Sequence, residues 1–170
     1  MRAYEASCSS LRHARPIPDE RECIVSVEVI RVVIADDHAQ VRAGLRVTLQ
    51  GAPDMSVVGE ATNGREAVEM AERLQPAVVV MDLAMPEMDG VEATREITRR
   101  KLGCRVLVLT MRVEDDFVVP LLDAGAWGYV TKMDADRELV AAVRVLAHGG
   151  FYVKPDLARA MIRRHNESAR

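Results

Sequence analysis

From residue 30 onward, short runs of Val, Ile and Leu alternate with stretches of helical period, and this alternation constrains the fold more than any other feature. The runs are Ile30–Ala35, Met55–Gly59, Ala77–Met81, Val106–Leu109 and Trp127–Val130. Most are near-continuously apolar, the pattern of strands covered on both faces. Between them lie apolar stripes at helical spacing: Val41, Leu45 and Leu49; Ala67, Ala71 and Leu74; Val91, Thr94 and Ile97; Leu139, Val143 and Leu146. Asn63 with Glu66, and Asp89 with Glu92, resemble helix N-caps followed by an acid three residues on, and Gly149 suits the position just past a helix end. Strict alternation with short links predicts an α/β fold: a doubly wound, five-stranded parallel sheet with helices on both faces. Ligands of such sheets collect outside the carboxyl ends of the strands.

Those strand ends carry the chemistry. The first run stops at "VVIADDH", so Asp36 and Asp37 stand side by side at its tip. Asp82 ends the third run, Thr110 ends the fourth, and Lys132 follows the fifth. Parallel strands bring these ends to one edge, so three carboxylates, a hydroxyl and an ammonium converge there. Three close carboxylates cannot all stay ionised unaided; either one pKa rises or a divalent cation binds. Hard oxygen ligands favour Mg²⁺. Each residue alone has a plainer reading: an Asp after a strand caps a helix, a Thr fills a strand end, a Lys on a loop is solvated. Their recurrence at the same place on successive strands is what marks a site.

Composition narrows the setting. The chain has 170 residues, 49% hydrophobic and 29% charged, which suits one globular domain with appendages. No apolar run is long enough to cross a bilayer, and the N-terminus lacks an apolar signal core. Cys8, Cys23 and Cys104 have no metal-type spacing, so a reduced cytoplasmic protein is expected, with Cys104 a small core hydrophobe. Residues 30–150 hold 14 basic and 19 acidic side chains, net −5, a poor surface for nucleic acid. Residues 151–170 hold 5 basic and 2 acidic, net +3. Residues 1–29, with no period, read as a disordered leader. Residues 151–170 read as a turn and then a helix opened near Pro155, with Leu157 and Met161 facing inward.

With "IADDH", "VVVMDLAMPEMDG", "VLVLTM" and "GAWGYVTK" in order, residues 30–150 resemble the receiver domains of bacterial two-component response regulators, which have a flavodoxin-like fold. The resemblance implies that a sensor histidine kinase phosphorylates Asp82. It implies that Asp36, Asp37 and Asp82 hold Mg²⁺ together with the backbone carbonyl of Ala84. It implies that Thr110 and Lys132 engage the phosphoryl group, and that Tyr129 is a switching aromatic. The readout face would be the helix holding Pro120, the fifth strand and the helix of Leu139–Leu146, with homodimerisation on phosphorylation as one consequence. The tail "GGFYVKPDLARAMIRR" resembles the connector of NarL/LuxR-type transcription regulators, which leads to a helix-turn-helix domain. No such pattern precedes Arg170, so DNA binding is expected only through an output domain outside this sequence.

Several positions depart from the family pattern. Met111 follows Thr110 where a small residue is common, and a bulky neighbour would narrow access to Asp82. Pro120 falls within an expected helix; outside a first turn it would cost about 3 kcal/mol, so that helix should start late, near Val118, after a mobile loop over 111–116. Met133 follows Lys132 where some receivers have proline, so no cis bond is expected. His38 reads as a helix-start residue able to contact a partner. Two rival functions remain: a degenerate or stand-alone receiver acting as an interaction module, and a Mg²⁺-dependent phosphatase of the haloacid dehalogenase type. The latter places its nucleophile on the first strand with a second Asp two residues on, unlike the adjacent pair here.

Overall fold

The computed structural model describes residues 28–111 and 120–153. Nine elements run in the order β1 (Ile30–Ala35), α1 (Ala39–Gln50), β2 (Met55–Ala61), α2 (Gly64–Leu74), β3 (Val78–Asp82), α3 (Gly90–Arg100), β4 (Arg105–Thr110), β5 (Gly128–Thr131) and α4 (Ala135–Ala147). A further helical turn spans 120–123 and includes Pro120. The strands form one sheet of order β2-β1-β3-β4-β5, and every pairing is parallel. The order reverses direction between β1 and β3, so the crevice at their carboxyl ends is the natural ligand site. The late helix start near Val118 and most of the expected 111–116 loop lie outside the described residues, as do the leader and the connector helix beyond residue 153.

Strand alternation explains the near-continuous apolar runs. Val33, Ala35, Val79, Met81, Val106 and Val108 face one side of the sheet, against Ala67, Val68 and Ala71 of α2 and Ala93 and Ile97 of α3. Val32, Ile34, Val78, Val80, Leu107 and Leu109 face the other, against Leu45 and Leu49 of α1 and Leu139, Val143 and Leu146 of α4. Both faces are covered, so no strand position inside the sheet needs a polar residue. Each fully buried Leu or Val contributes about 1.5–3 kcal/mol relative to exposure, which makes these two layers the main source of stability.

The helix signals correspond to real caps. Glu66 N donates to Asn63 Oδ1 (2.9 Å) and Glu92 N to Asp89 Oδ1 (2.8 Å). Gly149, at φ 86°, takes the left-handed conformation one residue past the cap of α4. No cis peptide bond occurs among the described residues, including the bond to Met133. No helix among them is long and apolar enough to cross a membrane.

The edge of β5 is covered. Tyr152 forms a parallel bridge with Gly128: its N–H donates to Trp127 O (3.0 Å) and its carbonyl accepts from Tyr129 N (3.1 Å). A Cβ on Gly128 would meet Tyr152 O at 2.5 Å, so this approach requires glycine. The Phe151 ring stacks on Trp127 at 4.5 Å, and the Arg105 guanidinium lies over the Trp127 ring at 4.8 Å. Residues 151–153 thus shield backbone groups that would otherwise invite edge pairing.

Cys104 is half-buried against the α2–α3 side of the core, as its reading as a small hydrophobe implies. Burial pushes its thiol up to about 11. A rise of two pH units over the ordinary value lowers the thiolate fraction near neutrality about 100-fold. Peptide-resolved iodoacetamide labelling at pH 7.5 should therefore modify Cys104 roughly 100-fold more slowly in the native chain than in urea. Equal native and unfolded rates would contradict this environment.

Candidate functional site

The carboxyl ends of β1, β3, β4 and β5 meet in a cleft of about 300 Å³ lined by Asp82, Leu83, Ala84, Thr110, Met111, Lys132 and His38. Asp82 is the last residue of β3 and Thr110 the last of β4; both are buried. Asp36, one residue beyond β1, is fully buried, whereas Asp37 is exposed. Lys132 follows β5, and its N–H donates to Thr110 O at 2.8 Å, extending the β4–β5 ladder into the site. A compact turn holds it there: Thr131 Oγ1 donates to Asp134 Oδ2 (2.6 Å), and Asp134 N donates back to Thr131 Oγ1 (3.1 Å).

The Lys132 ammonium bridges two carboxylates, 2.7 Å from Asp36 Oδ2 and 2.9 Å from Asp82 Oδ2. The remaining oxygens bond to backbone: Asp36 Oδ1 accepts from His38 N (2.8 Å) and Asp82 Oδ1 from Leu83 N (2.9 Å). Burial pushes the Asp82 carboxyl above its ordinary value, and the Asp36 charge adds to this, against the opposing pull of Lys132. For Lys132, burial disfavours the charged form, but hydrogen bonds to Asp36 and Asp82 outweigh it and its pKa is raised. A permanently charged ammonium therefore sits beside a carboxylate that water solvates poorly.

The strand ends bring Asp36, Asp37, Asp82, Ala84, Thr110 and Lys132 together, while Tyr129 lies in the adjoining core. Asp36, Asp37 and Asp82 present carboxylate oxygens that, with a nitrogen of His38, lie within 4.8 Å of one another. Ala84 lines the cleft, where its side chain is immaterial and its carbonyl is a candidate ligand. Three carboxylates facing a cleft with room for water fit a hard divalent cation. Met111 is 68% exposed on the cleft rim. Tyr129 is 2% exposed, its ring buried in the core cluster that includes Val106, Val108 and Leu121.

The loop after β3 is fixed at both ends. Glu87 adopts φ 66°, and Met88 O accepts from Gly64 N (3.0 Å), tying the loop to the start of α2. Gly90 N donates to Leu83 O (3.0 Å), and a Cβ on Gly90 would collide with the carbonyl oxygen of Asp82. Glycine at the head of α3 thus lets that helix abut the strand end bearing Asp82, a role the "MPEMDG" motif shows only as a turn signal. His38 joins the carboxylates as well: its Nδ1 is 2.7 Å from Asp37 Oδ1. Only its adjacency in "DDH" hinted at that.

The family model for the response regulator receiver domain matches residues 32–144. This chain belongs to that family. The receiver is 43% identical over 121 residues to the transcriptional regulatory protein LiaR of Bacillus subtilis, covering 71% of this chain and 57% of LiaR. Among solved structures it is similar to a LuxR-family response regulator from Aurantimonas sp. SI85-9A1, with TM-score 0.73 and 36% identity, covering 81% of this chain and 98% of that one. It is also similar to the receiver domain of the putative response regulator NarL from Mycobacterium tuberculosis, with TM-score 0.70 and 35% identity, covering 72% of this chain and 98% of that one. The chain spans about three fifths of the length of the curated relatives it matches. Receiver membership is not compatible with the dehalogenase-type phosphatase reading, whose nucleophile would lie on the first strand.

The ammonium bridge predicts a pH-dependent stability loss. In Lys132→Met, Asp36 and Asp82 face each other uncompensated, which should cost about 2–4 kcal/mol above neutral pH. With the Asp82 pKa raised further, the folded variant gains a proton as pH falls, so the deficit should shrink toward pH 5. Urea unfolding in EDTA checks this; a deficit independent of pH, or none, would contradict it.

Proposed function

We propose that the receiver accepts a phosphoryl group on Asp82 from a sensor histidine kinase and that the modification switches its surface. The observation that supports this most is the Asp82 carboxylate itself: buried at a strand end, held by Lys132 Nζ at 2.9 Å, and open to the cleft. An Asp82 oxygen attacks phosphorus, a new O–P bond forms, and the P–N bond to the kinase imidazole breaks with its electron pair returning to the ring. Lys132 offsets the repulsion between the two anions. Asp36, Asp37, Asp82 and the Ala84 carbonyl would hold Mg²⁺, which when bound adds positive charge beside the phosphoryl oxygens. Self-phosphorylation from small phosphodonors and slow self-dephosphorylation follow from the same arrangement, without turnover of other substrates.

The acyl phosphate adds close to two negative charges and three acceptor oxygens. Thr110 and Lys132 are drawn toward it, and the vacated space beside β4 favours the inward Tyr129 ring. This is a local charge event biasing a two-state element. The output face comprises the helix ending at 123, β5 and α4. We read residues 30–150 as the receiver and 151–170 as the connector to an output domain, and take transcription regulation in the cytoplasm as the role of the full-length protein. Homodimerisation on phosphorylation, and DNA contact only through that output domain, complete the reading. A degenerate interaction module is the less favoured alternative, because Asp36, Asp37, Asp82, Thr110 and Lys132 are all present.

Phos-tag electrophoresis with acetyl phosphate and Mg²⁺ tests the assignment: wild type should show a shifted band, lost with EDTA and with Asp82→Ala. A shift persisting in Asp82→Ala would overturn it. Met111 on the rim should slow small donors, so Met111→Ala should label several-fold faster; equal rates would exclude gating by Met111.

A further inference from the structure

Resting on the reading of the cleft as a divalent-cation site, we propose that His38 is a metal-selectivity residue. Its imidazole adds a nitrogen ligand that tilts the site from Mg²⁺ toward Mn²⁺ and Co²⁺. The residue occupies the N-cap of α1, where Ser, Thr, Asp or Asn would bond a free helical N–H. Its side chain makes no such bond. The ring turns instead onto the acids, with Nδ1 2.7 Å from Asp37 Oδ1 and 3.5 Å from Asp36 Oδ1. Neighbouring ligands around an octahedral first-row ion with bonds of about 2.1 Å lie about 3 Å apart, and these two separations bracket that value.

The orientation of the acids fits the same division. Asp36 gives Oδ2 to Lys132 (2.7 Å), while its Oδ1 accepts from the His38 backbone N–H (2.8 Å), which anchors His38 beside the acids on the side away from the ammonium's oxygen. The ring is 67% exposed, so it can adjust by side-chain rotation without moving α1. An all-oxygen site discriminates weakly among hard cations. Imidazole does not: it suits Mn²⁺ moderately and Co²⁺ more, following the general rise in affinity across the first transition row, while Mg²⁺ gains little from nitrogen. A residue that forgoes capping and joins an oxygen cluster is a local departure of the kind found at functional sites.

The test is competitive binding to the full chain, read by the EPR signal of free Mn²⁺, with Mg²⁺ and Co²⁺ as competitors. Wild type should bind Mn²⁺ more tightly than Mg²⁺, and Co²⁺ more tightly still, following the order of the first transition row. His38→Ala should weaken Mn²⁺ and Co²⁺ by about tenfold or more while changing Mg²⁺ by less than twofold. His38→Ser, which restores a capping side chain, should lose the same preference in a fully folded protein. Unchanged ratios in both variants, or equal weakening of all three ions, would overturn the role of His38 while leaving the acidic site intact. Mn²⁺ binding that survives both Asp37→Asn and Asp82→Asn would place the ion elsewhere and overturn the cation site as well.

Discussion

One ammonium holds this site together. Lys132 stands 2.7 Å from Asp36 and 2.9 Å from Asp82, and without it two buried carboxylates would face each other across a crevice. The same contact fixes the chemistry. Asp82 is held oriented and poorly solvated, with a positive charge 2.9 Å away that under our reading would face an incoming phosphoryl group. Lys132 also follows β5 directly, and its own backbone N–H meets the β4 terminus at Thr110 O. A change in charge at Asp82 is therefore felt at once by the ends of β4 and β5.

The sheet makes that coupling short. Tyr129 lies three residues before Lys132 on β5, its ring in the core and its N–H bonded to Tyr152 O. Phe151 and Tyr152 clasp the edge of β5 through Trp127, Gly128 and Tyr129. The strand that ends beside Lys132 is thus bonded along its edge to the segment 151–153. Under our reading, motion of Lys132 toward a phosphoryl group has a direct mechanical path to the connector.

Most of the fold was legible because burial on both faces writes strands as unbroken apolar runs. β1 is found at the bounds its run suggested, while β3, β4 and β5 differ by a residue and β2 continues to Ala61. Those differences arise because a strand lasts as long as its neighbour offers a partner, which a run of Val cannot reveal. Asp36, Asp82, Thr110 and Lys132 were legible because parallel topology turns strand ends into one location. The direction of the His38 ring was not, since adjacency to two acids does not say which way a side chain turns. Nor was the reason for Gly90: its close approach to Asp82 O is a three-dimensional contact inside what reads as a turn. The Thr131–Asp134 turn that steadies Lys132 likewise reads as ordinary helix-start chemistry.

Under our reading Asp82, and no other group, carries the phosphoryl. Borohydride reduction of the phosphorylated chain converts an acyl phosphate to the corresponding alcohol, which peptide mass spectrometry can locate. Homoserine is expected at position 82, dependent on donor and Mg²⁺. Reduction at Asp36 or Asp37, or at no residue despite a competent donor, would contradict it.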